Sequence, residues 1–358
     1  MDKENPKNNK KHFEYYLAER NEEFRSRYNH EYSWKKLQQR IQRRKVRRIS
    51  LYCMTASVAL FLLAIGISHI ISLHNNTLNK DAMMAATVSF PETGSRKAIL
   101  TLESGEKIDL TVQKGTIPSA GSVIINNKAN ELLTYKKMNT IKETPQMNIL
   151  TVPRGGEYQL ILSDGTRVWM NAESSLRYPT SFAEEKREVY LVGEAFFEVA
   201  KDVIHPFIVR TDRHSVEVVG TSFNISAYPD HRIYTTLAEG KVRVSTSTTS
   251  VLLDPDQQAI IETNNDEIAT REVSAYLFTS WAKGNYEFRN TPLEEIVAQL
   301  SRWYNVDIYF KNETLKNKRF AGIIFRNEEL NFAIEVIEKV SNVHFVREGE
   351  VIYIEDNQ

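Results

Sequence analysis

The residues that could do chemistry are few, and their spacing argues against most of it. Glu194 and Glu198 fall on one face of a strand expected over residues 194–199. Paired carboxylates can share acid and base work, although a solvated strand face needs the same two residues. Arg154, Gly155 and Gly156 could form an anion-binding nest of backbone amides. Two glycines directly before the alternating run EYQLIL are instead the mark of a turn. Asp164 precedes Gly165, and the pair suits a tight primed hairpin turn, where positive φ favours these residue types. The alternative for Asp164 is a catalytic or metal-binding carboxylate. The eight histidines are scattered, with no HExxH pair and no metal-ligand spacing among them. Neither a GxSxG elbow nor a P-loop is present. The one cysteine, Cys53, lies in an apolar run and can form no intrachain disulfide. No enzyme activity, cofactor or metal is expected.

That apolar run dominates the N-terminal third. Residues 51–73 read LYCMTASVALFLLAIGISHIISL, and no Asp, Glu, Lys or Arg occurs from 49 to 79. As a helix it would reach about 35 Å, enough for a hydrocarbon core of about 30 Å, so a transmembrane helix is expected over residues 50–73. A cleaved signal peptide fits poorly, because about fifty residues precede the run rather than a short basic stretch. Residues 1–49 carry 15 Lys and Arg against 7 Asp and Glu, a net of +8, while the remainder carries 31 against 39, a net of −8. The neutral total hides a polarised chain. The positive-inside rule then places residues 1–49 in the cytoplasm and the bulk across the membrane. An anchor flank needs these basic charges, so no direct nucleic-acid partner is expected. Within the tail, Trp34, Leu37 and Ile41 recur at helical spacing. A segment this short buries little core, so the stripe is expected to meet a cytosolic protein, the alternative being the membrane surface.

Residues 74–97 read as a polar linker. From 98 to 273, short alternating apolar runs are punctuated by Gly, Asp, Asn and Pro, the pattern of an all-β domain. LTLESGEKIDL at 100–110 matches LILSDGTRVWM at 160–170, an internal repeat at an offset of 60 that places Gly105 and Gly165 alike. Residues 281–356 change character. FRNTPLEEIVAQLSRWYNVDI at 288–308 aligns with FRNEELNFAIEVIEKVSNVHF at 325–345, an offset of 37. Each copy predicts strand, helix and strand. Thr291 as N-cap, Pro292 at the first helical position and Glu294 completing a capping box open the first helix, whose buried stripe is Leu293, Ile296, Val297 and Leu300. The expectation is a small α+β domain of two similar units.

The run VPRGGEYQLILSDGTRVWMNAESSLRYPTSF at 152–182 resembles the periplasmic domain of FecR-type anti-sigma factors, in the form found in Bacteroidetes. REVYLVGEAFFEVAKD from Arg187, PFIVRT from Pro206, VVGTSFNISAY from Val218 and TTLAEGKVRV from Thr235 follow in the family's order. From about Trp281 the chain is similar to that family's C-terminal domain, related to the short secretin and TonB N-terminal module, with LSRWYNVDI at 300–308 a characteristic piece. The resemblance spans residues 98–355, and WKKLQQRIQRRKVRR from Trp34 is similar to the family's juxtamembrane segment. The tail before the apolar run is shorter than in many relatives.

The resemblance implies a multidomain membrane-anchored regulator: a short helical cytoplasmic tail, one transmembrane helix, an all-β periplasmic domain and the α+β domain. Its implied partners are an extracytoplasmic-function (ECF) sigma factor at the tail, with Trp34, Leu37 and Ile41 as contacts, and the signalling domain of a TonB-dependent outer-membrane transporter. Regulatory proteases are a further implied partner. The receptor contact is expected at the last strand, Val351, Ile352, Tyr353 and Ile354, read as a sheet edge open to augmentation by a partner strand. A membrane-tethered periplasmic glycan-binding or scaffolding module is the alternative reading.

Overall fold

The computed structural model describes residues 92–119, 122–127, 132–137 and 145–357. The chain enters through β1 (Ser95–Arg96), β2 (Ile99–Thr101), β3 (Lys107–Asp109), β4 (Gly115–Ser119), β5 (Ser122–Asn127) and β6 (Leu132–Lys137). Then come β7 (Met147–Val152), β8 (Gly156–Ile161), β9 (Arg167–Met170), β10 (Ser174–Pro179) and the twelve-residue β11 (Arg187–Glu198). The series closes with β12 (Phe207–Arg210), β13 (Ser215–Val218), β14 (Ser222–Ala227), β15 (Ile233–Glu239), β16 (Val242–Ser245), β17 (Ser250–Leu253), β18 (Gln257–Ile261) and β19 (Ile268–Glu272).

These strands make two faces that share one strand. Across the first face the order is β3, β2, β7, β10, β11, β12, β13, β16, β17. Across the second it is β4, β5, β6, β8, β9, β11, β14, β15, β18, β19. β11 belongs to both. Its first half pairs with β10 and β12, and its second half, from Gly193, pairs with β14 and β9. The changeover sits at Gly193, whose φ of 92° and lack of a Cβ let the chain pass Ser174, since a Cβ there would stand 2.4 Å from the Ser174 Oγ. Burial alternates along the strands, so one side chain in two enters the space between the faces. Leu150, Leu160, Leu176, Phe197, Phe207, Phe223 and Leu237 are fully buried there.

The repeat at an offset of 60 appears as the same turn built twice. The amide of Leu102 donates to the Glu106 carbonyl and that of Gly105 to Leu102, as Leu162 does to Thr166 and Gly165 to Leu162. Gly105 and Gly165 sit at φ of 87° and 88°. The primed turn expected at Asp164 and Gly165 is corrected: Asp164 is not among the residues with positive φ, so only the glycine takes the left-handed position. The Asp164 carboxylate is used elsewhere. It accepts from the backbone and hydroxyl of Thr166 and pairs at 2.8 Å with the buried Arg187.

Beyond β19 come the helix α1 (Tyr276–Thr279), a 3-10 turn (Ser280–Lys283), β20 (Asn285–Pro292), α2 (Leu293–Tyr304), β21 (Asp307–Phe310) and a second 3-10 turn (Glu313–Asn317). The chain finishes with β22 (Arg319–Phe325), α3 (Leu330–Ser341), β23 (Val343–Glu348) and β24 (Val351–Asp356). The opening strands of the two units, β20 and β22, pair antiparallel; the closing strands, β21 and β23, flank β24. Leu293, Ile296, Val297 and Leu300 are buried on α2, as their spacing demands, with Trp303 and Tyr304 extending the stripe. The helices end alike, at Asn305 and Asn342 with φ of 50° and 49°, because Asn tolerates the left-handed conformation. The capping box does not form. β20 runs through Thr291 to Pro292, and the first helical amide, of Leu293, is satisfied by the Lys318 carbonyl at 2.8 Å.

Two expectations are corrected. β24 is not a sheet edge: it pairs parallel with β21 and antiparallel with β23, so Val351, Ile352, Tyr353 and Ile354 have backbone partners on both sides. Ile352 and Ile354 are also buried in the core. The open edges of that sheet are β21 and β23. The expected transmembrane helix over 50–73 and the helical tail over 1–49 lie outside the described residues, and the membrane-spanning architecture is not supported. Among the described residues no helix is long and apolar enough to cross a membrane. The longest α-helices among the described residues have 12 residues, about 18 Å against a hydrocarbon core of about 30 Å. The described fold is mostly β, with three short α-helices.

Candidate functional site

The described residues form two hydrophobic cores, and charged side chains converge where these meet. One core lies between the faces of the β-sandwich; the other is built from α2, α3 and the small sheets. β11 feeds both. Phe197 points inward and stacks on Phe223 at 5.2 Å between centroids, while Phe196, one residue earlier, points outward into the second core beside Trp169 at 5.5 Å. Strand periodicity dictates this split, because successive side chains leave a strand on opposite faces.

Around Phe196 the outer face of the second sheet is polar. Glu194 lies two residues before it, and Asn224 on β14 stands directly across from it. The Glu194 carboxylate accepts from the Asn171 amide at 2.8 Å and from the Asn224 amide at 2.9 Å. Withdrawal from water pushes its pKa up, against the opposing pull of these amides and of the Arg302 and Arg326 guanidiniums. Glu194 is therefore not on a solvated strand face. Nor is it half of an acid–base pair, since Glu198 pairs instead with the exposed Arg167.

The second core supplies the cations and the aromatic rings. Arg326, only 3% exposed, follows β22 directly. Its guanidinium lies 3.6 Å from the ring centroid of Trp303 and 5.2 Å from that of Tyr286. It donates to the Trp281 carbonyl at 2.8 Å and to the Asn171 side-chain oxygen at 3.3 Å, and it pairs with Glu157 at 2.9 Å. One side chain thus ties β8 and the loop after β9 to the 3-10 turn and to α2. The Trp281 indole donates to Asn224 at 3.1 Å, and the Trp303 indole to the Arg326 carbonyl at 2.9 Å. At the rim, Arg302 lies 3.9 Å over the Tyr228 ring, whose hydroxyl donates to the Ala172 carbonyl.

The loop over Arg154 and Gly155 clasps the far end of α2. Arg154 pairs with Asp307 at 2.7 Å and donates to the carbonyls of Ser301 and Val306. The Ser301 carbonyl belongs to the last turn of α2, whose unpaired carbonyls favour a cation, and the Val306 carbonyl lies just beyond its C-cap. The Gly155 amide donates to the Arg302 carbonyl at 2.7 Å. Arg154, Gly155 and Gly156 therefore make a turn with Gly155 at φ of 66°, and what it grips is a helix end rather than an anion.

This arrangement can hold and orient; it does not present a nucleophile to a base. Trp34, Leu37 and Ile41 lie outside the described residues, and Asp164 and Gly165 lie in the hairpin between β8 and β9. Sequence reasoning missed Arg326, Asn171 and Asn224. Arg326 belongs to the repeated FRN tripeptide, yet its counterpart Arg289 is exposed, so no pattern in the sequence separates them.

Comparison with known proteins places these features in a group. Residues 148–243 match the family model described as FecR protein, and residues 285–354 match that described as FecR, C-terminal. Two crystal structures, at 1.65 and 2.50 Å resolution, of a protein from Parabacteroides distasonis ATCC 8503 assigned as an anti-sigma factor are similar to this chain. Each is 32% identical with a TM-score of 0.55, and the match covers 59% of this chain and 99% and 100% of theirs. No curated protein matches.

Proposed function

This chain belongs to the FecR family of anti-sigma factors, and from that membership we propose that it relays a periplasmic signal to a cytoplasmic ECF sigma factor. The family is regulatory rather than enzymatic, and its members act on sigma factors and are generally membrane-associated. The finer reading is our own. The signal comes from the periplasmic signalling domain of a TonB-dependent outer-membrane transporter, and the output is transcription of uptake genes. The tail, 1–49, faces the cytoplasm at the inner membrane and holds the sigma factor through Trp34, Leu37 and Ile41; the folded unit faces the periplasm. Regulated proteolysis links the two events. The observation that carries this reading is the match at 32% identity across 99% of a structure assigned as an anti-sigma factor.

The test is capture of a sigma factor. A fragment of residues 1–49 should retain an ECF sigma factor from the same cell, and the double substitution Leu37→Asp with Ile41→Asp should abolish retention, because an unpaired charge is costly to desolvate at an interface. Retention of the sigma factor at full strength by the double variant would overturn the assignment of the contact stripe. Absence of any captured sigma factor would overturn the function.

A further inference from the structure

Each core of this molecule closes largely without the other. Of the residues that build or pack against the second core, only Phe196 and Trp169 come from the sandwich. Most other ties across the boundary are ionic, amide or cation–π contacts, with Arg326, Arg154 and Arg302 prominent among them, beside the close passage of Gly94 over the Trp303 ring. A buried ion pair recovers in attraction about what it loses in desolvation, so it fixes geometry more than it adds stability. Boundaries of this polar kind between two folded parts permit relative motion. Satisfaction is also incomplete here: the Arg326 Nε has no hydrogen-bond partner among the described residues. The contacts are cooperative by construction. Arg326 holds Trp281 and Asn171, Asn171 and Asn224 hold Glu194, and Asn224 holds Trp281. Loss of Arg326 therefore breaks a closed ring of five residues at one of its members.

We infer that this junction is a latch that opens as a unit, with Arg326 as its bolt, and that its opening is the step by which an event on the second core changes the state of the rest of the chain. The second clause rests on the relay reading above. The first does not, and stands on the geometry alone.

Two variants push the latch in opposite directions. Arg326→Ala removes the bolt. Gly155→Cys with Asn305→Cys closes the latch covalently, because a Cβ built at Gly155 would stand 3.3 Å from the Asn305 Cβ, near the separation a disulfide spans. Cys53, the chain's one cysteine, is replaced by Ser throughout. The probe is hydrogen exchange on the purified full chain at the Gly155 amide, which donates across the boundary to Arg302. Amides of β13 and β16, inside the sandwich, serve as the reference. Arg326→Ala should raise exchange at Gly155 at least tenfold and leave the reference unchanged; oxidising the staple should lower exchange at the Trp281 indole N–H, which donates across the boundary to Asn224, below that of the same variant reduced. Unchanged exchange, or an equal rise at Gly155 and in β13, would overturn the latch. If Arg326→Ala fails to fold, Arg154→Ala at the rim makes the same test, since Arg154 is 31% exposed and holds the end of α2 and Asp307 just beyond it. In cells, a promoter read by the captured sigma factor should differ at least fivefold in output between the opened and the stapled chain. Equal outputs, with exchange behaving as expected and the sigma factor still captured, would overturn the second clause and leave the proposed function standing.

Discussion

At the scale of single residues, the side chains that matter most are charged or polar groups taken out of water. Arg187 is 4% exposed, and it is held by Asp164, by the carbonyls of Ala200 and His205 and by the Phe207 ring at 5.5 Å. His214 is equally buried. Its Nδ1 lies 2.6 Å from the Thr211 hydroxyl and its Nε2 3.3 Å from that of Thr235. Burial, helped by the charge of Arg213, pushes its pKa down to about 4 from 6.5. An unfolded chain takes up this proton near pH 6.5 and the folded one does not, so the neutral ring's contribution is complete above about pH 6.5 and is lost as pH falls toward 4. The loss amounts to about 3 kcal/mol. Thermal unfolding between pH 7 and pH 4 should show it, and His214→Gln should flatten that part of the curve. An identical pH dependence in the variant would show that other groups carry it.

At the scale of elements, β11 and β24 show what a strand's neighbours decide. β11 serves two faces because Gly193 lets it turn, and its consecutive phenylalanines then serve two cores. β24 is central, so its apolar residues are structural. Ile354 is fully buried, and Ile354→Ala should destabilise the second core by about 2–5 kcal/mol, the usual cost of a large-to-small change in a packed core, measured by denaturant unfolding followed through Trp303. Destabilisation under about 0.5 kcal/mol would contradict this packing. A partner strand that joins this sheet has only β21 or β23 to pair with, and a partner of the other small sheet has the outer edges of β20 and β22.

At the scale of the whole molecule, charge is the organising feature. A net of +8 sits in residues 1–49 and −8 in the rest, and the topology under the proposed function assigns the two to opposite sides of a membrane. A phosphatase that matures only in an oxidising compartment, fused after residue 358, should be active, and the same fusion after residue 40 should be inactive. Activity at position 40 would reverse the arrangement. The folded unit contributes rigidity in two blocks, and the polar boundary between them is the place where a force on one block is either passed on or absorbed.

Much of this was legible in the sequence for local reasons. Alternation along β8 and β10, the 3.6-residue stripe on α2 and the paired glycine turns at 105 and 165 are each set by a few neighbouring residues. The ordered motifs from 152 onward also sufficed to place the family. Tertiary structure alone decided which strand of the small sheet is central and which arginine is a bolt. The two FRN tripeptides make the physical reason plain. In the first, Phe288 is buried and Arg289 exposed; in the second, Phe325 is exposed and Arg326 buried. β20 buries Tyr286 and Phe288, whereas β22 buries Phe320 and Ile324, so Phe325 stands one residue out of phase with its counterpart Phe288. A single residue of register exchanges the faces of a strand. Identical residues therefore meet solvent in one copy and Trp303, Glu157 and Asn171 in the other, through contacts that span up to 169 residues of chain.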